Sequence, residues 1–200
     1  MRFYFLRHPQ TIANQKGLIY GWTDYDYTEK GEEMLKAMPR RAAGLSFDRI
    51  YASPLGRARK LAEAIGREKG LSVICDDRIK EMNYGILEGM DFAQAKKEHG
   101  EIMKHLFSDF RSFTVPQGES SLDVRRRAES FFDGIKEQEG ACLVVTHAMF
   151  IHSAMSYLLN LDLDVMWRFR IEPCMIICLD YENGYGAVKG MSPYEWPEGF

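Results

Sequence analysis

The chain has 200 residues, of which 46% are hydrophobic and 28% are charged, a composition typical of one globular domain. The formal net charge is −3 at pH 7, and no run of like charge exceeds the three arginines at 125–127, which argues against a nucleic-acid partner. The longest apolar stretch is far shorter than the ~20 residues of a membrane-spanning helix, so no membrane partner is expected.

Short β-rich runs alternate with helical patterns along most of the chain. Thr28 is placed to cap a helix that reaches about residue 41, and Ser53-Pro54 supplies a cap followed by proline at the first helical position. Apolar residues recur at helical spacing within 58–65 and 128–135. The alternation predicts an α/β fold with a mostly parallel central sheet, whose strands are residues 3–6, 49–52, 72–75, 143–146 and 175–179.

No repeat, low-complexity tract or flexible linker divides the sequence, so residues 1–200 are expected to form a single domain. Residues 84–119 are the least regular part. They contain a predicted helix over 91–107 and then a loop through 116–118. We therefore expect a lid or an insertion at about residues 84–119.

The four cysteines lie within apolar runs, and the first residues, MRFYFLRH, read as a charged strand rather than as a secretory signal. These features predict a cytoplasmic protein in a reducing compartment. Cys174 and Cys178 are four residues apart, but neither a second pair nor suitably spaced histidines accompany them. Strand thiols are therefore favoured over a zinc site, and no metal is expected.

Two histidines follow directly on predicted strands. Arg7 and His8 end the first strand, at the carboxyl edge where open α/β sheets place their ligands, and His147 ends the strand at 143–146 in the same way. A single histidine at a strand end is more often structural. Two of them at one sheet edge, with an arginine beside the first, favour a site for an anionic substrate.

Arg57 and Glu81 are the other two candidates. Arg57 lies in the first turn of the helix that follows Ser53-Pro54, where the helix dipole favours a phosphate, although a solvated arginine is the alternative. Glu81 follows the third predicted strand and has apolar neighbours. A carboxyl group in such surroundings has a raised pKa and is suited to general acid catalysis.

The sequence RHPQTIAN at residues 7–14 resembles the Arg-His-Gly-Glu-Thr-x-x-Asn signature of the phosphoglycerate mutase-like histidine phosphatases. The matching residues in it are Arg7, His8, Thr11 and Asn14. The resemblance continues in order through most of the chain, at residues 21–24, 28–31, 53–58, Glu81, Gly85, 88–89, 118–120 and 146–147. Each match alone is weak, but the ordered set is specific.

The resemblance implies a three-layer α/β/α sandwich with a phosphate pocket built from Arg7, His8, Arg57 and His147. His8 would be the nucleophile, with a backbone carbonyl holding the proton on its other ring nitrogen. The two guanidinium groups and His147 would bind the nonbridging oxygens, and Glu81 would protonate the leaving oxygen. No metal or other cofactor is then required. The further residues expected to contact substrate are Asn14, Tyr20, Gly21 and Ala148.

Several positions depart from the pattern of the family. Pro9 and Gln10 replace a glycine and a glutamate, and Ala148 and Met149 replace two glycines. His152 stands where an arginine is often found. Candidates for lining an apolar pocket are Met149, Trp22, Tyr20 and the aromatic tail at 194–197, although a packed tail is the alternative.

These observations predict a metal-independent phosphatase that hydrolyses a phosphate monoester of a small molecule through a phosphohistidine on His8. The chain length and the sparse Lys96, Lys97 and Arg111 argue against the alternative of a cofactor-dependent phosphoglycerate mutase. A non-catalytic protein that binds a phosphorylated ligand is a further alternative, motivated by the altered glycines. Sugar phosphates, phosphoserine, α-ribazole phosphate and phosphoglycerates all remain open as the substrate, and the protein is expected to be a monomer or a homodimer.

Overall fold

A computed structural model describes residues 1–164 and 168–195 of the chain. Six strands form one sheet in the order β3-β2-β4-β1-β5-β6. The strands are β1 (Arg2–Arg7), β2 (Arg49–Ala52), β3 (Val73–Cys75), β4 (Ala141–Thr146), β5 (Ile176–Glu182) and β6 (Tyr185–Ser192). Strands β1 to β4 pair in parallel, whereas β5 is antiparallel to both of its neighbours. The prediction of an α/β fold with a mostly parallel sheet is confirmed.

Helices cover both faces of the sheet and complete the three layers. They are α1 (Ile12–Lys16), α2 (Glu29–Ala43), α3 (Gly56–Lys69), α4 (Phe92–Glu98), α5 (Gly100–Ser108), α6 (Ser121–Asp133) and α7 (Ala148–Leu158), with short 3-10 helices at Asp77–Ile79 and Gly85–Leu87. Helices α2 and α3 pack on one face of the sheet, and α6 and α7 pack on the other. No helix in the described ranges is both long enough and apolar enough to cross a bilayer.

Periodic apolar residues explain how the helices attach to the sheet. Ala58, Leu61, Ala62 and Ile65 are fully buried on one side of α3, as their spacing predicts. Helix α2 begins where expected, because the Thr28 hydroxyl accepts a hydrogen bond from the backbone N–H of the third helical residue at 3.0 Å. These contacts fix the helices that flank the carboxyl edge of the sheet.

The start of α3 differs from its prediction. The helix begins at Gly56, with Leu55 as its N-cap residue, so neither Ser53 nor Pro54 has the expected capping position. The carboxylate of Asp24, from a distant loop, accepts a hydrogen bond from the Gly56 N–H at 2.6 Å instead. An acidic group at this helix end is favoured by the dipole. The Ser53 hydroxyl accepts from the Leu55 N–H at 3.3 Å and also lies 2.8 Å from His147 Nε2.

The region at 84–119 also differs from expectation. The single helix predicted over 91–107 is two helices, because His99 has φ −133° and ψ 43° and ends α4 while preceding α5. Ala95, Met103 and Val115 from this region are buried in the main core. The region therefore packs firmly on the same domain, and its role as a lid stays a prediction.

The strand order brings three strand ends together. Strand β4 lies between β1 and β2, and the register pairs Arg7 with Thr146. The backbone N–H of His8 donates to the Thr146 carbonyl at 3.0 Å, and the N–H of Ser53 donates to the Val145 carbonyl at 3.0 Å. Residues that follow β1, β2 and β4 consequently meet at one point of the carboxyl edge.

Candidate active site

His8 lies at the centre of this edge and is 2% exposed. Its Nδ1 atom is 2.7 Å from the backbone carbonyl oxygen of Pro9. Because a carbonyl oxygen can only accept, the ring proton must lie on Nδ1, and the lone pair is then on Nε2. The sequence departure at Pro9 is compatible with this arrangement, since the contact uses the carbonyl group and not the missing N–H.

His147 is fully buried, and its ring centroid lies 5.2 Å from that of His8. Its Nε2 atom is 2.8 Å from the hydroxyl of Ser53. When this hydroxyl donates to Nε2, the ring proton lies on Nδ1, which is buried and has no partner among the described residues. Ser53 thus orients the ring of His147. The sequence did not reveal this contact, because Ser53 was expected to cap a helix.

Arg57 is the second residue of α3 and is also buried. Its Nη1 donates to the Thr23 carbonyl at 3.0 Å and to the Asp24 carboxylate at 2.8 Å, and its Nη2 donates to the Gly21 carbonyl. Its guanidinium lies over the ring of Tyr20, 4.8 Å from the centroid. These contacts hold the group rigidly and leave its buried Nε without a partner among the described residues.

Arg7 is held in a similar way from the other side. Its Nη1 donates to the backbone carbonyl of Ile171 at 2.6 Å, and its Nε is buried without a described partner. Arg7 Nε and Arg57 Nε are therefore unsatisfied donors on guanidinium groups whose charges act on His8, and His147 Nδ1 is a third donor when its ring accepts from Ser53. An unsatisfied buried donor costs about 1–3 kcal/mol, so an anion that accepts from all three would be bound strongly.

The electrostatics keep both imidazoles neutral. Burial, reinforced by the positive charges of Arg57 and Arg7, holds the pKa of His8 well below its usual range. Burial and the same two arginines, together with His8, do the same to the pKa of His147. The unprotonated Nε2 of His8 is therefore the prevailing form at neutral pH, which is the form that can act as a nucleophile.

Glu81 lies beside this group with its carboxyl buried. The backbone N–H groups of Met82 and Met149 donate to Glu81 Oε1 at 3.0 and 3.1 Å, which fixes the orientation of the carboxyl. Burial raises its pKa above the usual 4.5, and the hydrogen bonds and the two arginines only partly offset this effect. The raised pKa that the sequence predicted is thus found.

A cavity of about 410 Å³ opens beside these residues. Its wall includes Arg7, His8, Glu81, Asn14, Tyr20 and Ala148, all of which the sequence singled out. Met149 also lines it, whereas Trp22 does not and instead places its ring beneath Lys80, 4.7 Å from the ammonium. Of the aromatic tail, Tyr194 packs on Arg41 away from the cavity, and 196–197 lie outside the described residues.

The remaining departures also have local explanations. Ala148 is the first residue of α7 and does not have a positive φ, so the backbone there does not require glycine. The Gln10 side chain accepts from the Thr28 hydroxyl at 2.8 Å and supports the start of α2. His152 lines the cavity next to Met149, with a buried Nδ1 that has no described partner.

Arg57 and His147 are buried and do not line this cavity, and Gly21 is the third predicted substrate contact that is absent from its wall. Its N–H donates to Glu88 Oε1 at 2.9 Å, and its carbonyl accepts from Arg57. Glu88 also accepts from the N–H groups of Trp22, Thr23 and Tyr84. Burial opposes ionisation of Glu88, but these four donors outweigh it and lower its pKa. Only the family resemblance had drawn attention to Glu88.

We expect Gly21→Ala to destabilise the fold. A methyl group at this position would lie 1.6 Å from the carbonyl oxygen of Met82, so the backbone must move and the loop that holds Arg57 must move with it. A loss of about 3 kcal/mol or more in the free energy of unfolding is expected in urea titrations. Gly44→Ala is the control, since nothing lies within 4 Å of the added methyl and the effect should stay within about 0.5 kcal/mol. Equal effects would contradict this account.

Comparison with known proteins gives the family of this chain and agrees with its fold. A model of the histidine phosphatase superfamily (branch 1) matches residues 3–192. The probable phosphoglycerate mutase GpmB of Erwinia tasmaniensis is 30% identical over 192 residues, covering 95% of this chain and 89% of that protein. The α-ribazole phosphatase of Shigella flexneri has a TM-score of 0.87 at 21% identity and covers 96% of each chain. A mycobacterial glucosyl-3-phosphoglycerate phosphatase in complex with VO3 has a TM-score of 0.82 at 22% identity, covering 94% of this chain and 97% of that one.

The fold and the site define an α/β protein with a neutral, buried imidazole and unsatisfied guanidinium donors at the carboxyl edge of its sheet. The match of the family model to nearly the whole chain identifies the family. This chain belongs to the histidine phosphatase superfamily.

Proposed function

We propose that the protein is a phosphatase that hydrolyses a phosphate monoester of a small molecule through a phosphohistidine intermediate on His8. The observation that carries the proposal is the arrangement of Arg7 Nε, Arg57 Nε and His147 Nδ1 as buried donors without described partners around the imidazole of His8. A phosphoryl group offers three nonbridging oxygens, which matches this number of donors. The two guanidinium charges stabilise the charge of the transition state, as magnesium does in kinases.

In the first step, the lone pair of His8 Nε2 attacks phosphorus, and the bond between phosphorus and the leaving oxygen breaks. The developing positive charge on the ring is delocalised to the Nδ1–H group, which stays bonded to the Pro9 carbonyl. The protonated carboxyl of Glu81 gives its proton to the leaving oxygen, and the alcohol departs. Glu81 becomes a carboxylate.

In the second step, a water molecule attacks the phosphohistidine from the side that the alcohol has left. The Glu81 carboxylate accepts a proton from that water, the bond between phosphorus and Nε2 breaks, and inorganic phosphate is released. His8 returns to its neutral form and Glu81 to its protonated form. The cycle consumes one water molecule and needs no metal or other cofactor.

Phosphoglycerate mutase activity is the rival within the same family, since several relatives are named as probable phosphoglycerate mutases. A phosphoglycerate carries a carboxylate, which a mutase must hold while the phosphoryl group changes position. The cationic side chains of segment 84–119 do not line the cavity: Lys96 and Lys97 are exposed, and Arg111 is paired with Asp162 and Asp164 at 2.8 and 2.9 Å. This supports hydrolysis over transfer.

The proposal is tested by phosphate release from a panel of phosphate monoesters in metal-free buffer, with and without a chelator. We expect turnover that the chelator does not change. On 2- and 3-phosphoglycerate, we expect phosphate release to exceed interconversion of the two isomers. Interconversion well above phosphate release would favour the mutase, and tight phosphate binding without any turnover would favour a non-catalytic binding protein.

A further inference from the structure

The cavity has two chemically distinct ends. The end at His8 carries the polar groups described above, whereas the opposite wall is contributed by α4, α5 and the turn after them. That wall consists of Phe92, Leu106, Phe107 and Phe110. The Phe92 and Phe107 rings lie 5.8 Å apart and are 55% and 52% exposed, so two large apolar side chains remain half open at the mouth of the cavity. This group of four residues is the aromatic rim.

Charge is the second feature of this end. Among the described residues that line the cavity, Arg7 is the only one with a permanent positive charge, and it adjoins His8. Burial, aided by the nearby charge of Arg7, lowers the pKa of His152 to about 4, so this side chain is neutral at pH 7. Arg111 is not part of the cavity wall, although its guanidinium lies 5.9 Å from the centroid of the Phe110 ring. Asp162 and Asp164 contact it at 2.8 and 2.9 Å and offset its charge, so a charged leaving group finds no unpaired described cation at this end.

We propose that the site is specific for phosphate monoesters whose leaving group is uncharged and apolar, with an arylmethyl or similar ring compound as the preferred class. The inference rests on the proposed phosphatase function and names the substrate class of that same site. The phosphoryl group would lie among Arg7, His8, Arg57 and His147, and the leaving group would extend along Met82 and Met149 towards the aromatic rim.

Desolvation explains why this selectivity should be strong. A ring that enters the rim removes its own apolar surface and part of the surfaces of Phe92 and Phe107 from water, which favours binding. A carboxylate in the same place would lose its hydration without gaining a cation. It would also approach Glu81, whose carboxyl becomes negatively charged as the leaving group departs. The cavity therefore favours apolar leaving groups and disfavours anionic ones through two independent effects.

The test compares benzyl phosphate, glycerol 1-phosphate and 3-phosphoglycerate, which are all primary phosphate esters, by kcat/KM in metal-free buffer. We expect benzyl phosphate to exceed glycerol 1-phosphate by roughly 10- to 100-fold, because the ring is buried against the rim. We expect 3-phosphoglycerate to fall at least about tenfold below glycerol 1-phosphate, because its carboxylate finds no partner. Equal values for the three esters, or a preference for 3-phosphoglycerate, would overturn the inference while leaving the phosphatase function intact.

Variants at Phe107 assign the effect to the rim, and they should fold because the side chain is half exposed. Phe107→Ala should reduce the preference for benzyl over glycerol phosphate by roughly tenfold. Phe107→Arg should raise 3-phosphoglycerate relative to benzyl phosphate. Tyr185→Ala removes another exposed ring, on β6 and away from the cavity, and should leave all three values unchanged.

The outcomes separate the two proposals. If none of the three esters is hydrolysed, the phosphatase function itself fails, and with it the inference on its substrate. If hydrolysis occurs but the Phe107 variants leave the ratio of kcat/KM for benzyl phosphate to kcat/KM for glycerol 1-phosphate unchanged, the aromatic rim does not select the leaving group and the inference is wrong.

Discussion

His8→Asn is expected to abolish turnover of every phosphate monoester that the wild-type protein hydrolyses. Asparagine keeps a polar group that can face the Pro9 carbonyl, but the lone pair of its amide nitrogen is delocalised into the amide carbonyl and cannot attack phosphorus. His147 cannot take over, because its Nε2 is bonded to Ser53. We expect a loss of at least about 10⁴-fold in kcat, the scale seen when a covalent nucleophile is removed. This loss in kcat is measured by assays of phosphate release that are stopped at fixed times.

The same prediction has a chemical signature. Rapid quenching of the wild-type protein during turnover should trap a phosphoryl group that is labile in acid and stable in alkali, as expected for a phosphorus–nitrogen bond. His8→Asn should trap none. His105→Ala is the matched control, since His105 is exposed on α5 and is not part of the cavity wall. An acid-stable adduct, or residual activity of more than a few per cent in His8→Asn, would assign the nucleophile to another residue.

The positions of His8 and His147 could be predicted because each directly follows a strand, and that of Arg57 because it lies in the first turn of the helix after β2. A side chain at the end of a parallel strand must lie at the carboxyl edge, whatever the rest of the chain does. The order of the strands decides whether such residues meet, and here β4 lies between β1 and β2. Sequence patterns alone do not fix that order, and it was the family resemblance that placed these residues in one pocket.

The contacts that hold these side chains were beyond sequence reasoning because they join distant segments. Asp24 reaches both the start of α3 and the guanidinium of Arg57, 33 residues further along the chain. The Glu88 carboxylate accepts hydrogen bonds from the backbone N–H groups of residues 21 to 23, which are 65 to 67 positions away. An acidic residue in a loop is usually solvated, so its type and spacing carry no signal of such a role.

The antiparallel edge of the sheet shows a different limit. Strand β5 was predicted from its apolar residues, but β6 was not. Its sequence, YGAVKGMS, contains two glycines and a lysine and is mostly exposed, because it has β5 on one side and solvent on the other. Edge strands lack the continuous apolar run of a buried parallel strand, and the pattern on which prediction depends is therefore weak.

Glu81→Gln is expected to impair catalysis in a way that depends on the leaving group. The amide oxygen can still accept from the Met82 and Met149 N–H groups, so the fold and the shape of the cavity should be kept. It cannot give a proton to the leaving oxygen. An alkoxide is a strong base and needs that proton, so hydrolysis of glycerol 1-phosphate should fall by about 10²–10⁴-fold.

A nitrophenolate leaves without help, and p-nitrophenyl phosphate should therefore phosphorylate His8 in Glu81→Gln at nearly the wild-type rate. Steady-state turnover does not isolate this step, because Glu81 also activates the water in the second step. Rapid mixing does, since the burst of nitrophenol reports only the first step. We expect the burst rate to fall less than about tenfold, followed by slow turnover. Glu63→Gln, on the partly solvated side of α3, is the control.

The wild-type pH profile provides a second reading of the same proton. The acid form of Glu81 is active in the first step, so the rate on alkyl esters should be highest below its pKa and fall as the pH rises through it. Burial raises that pKa above 4.5, which extends the active range to higher pH than an ordinary carboxyl allows. The burst with p-nitrophenyl phosphate should not show this fall.

If Glu81→Gln instead lost the burst rate and the alkyl ester rate by the same factor, Glu81 would not be the proton donor. Gln10, Glu88 and Glu119 would then be the next residues to test, although each is bonded elsewhere: Gln10 to Thr28, Glu88 to four backbone N–H groups and Glu119 to Arg127.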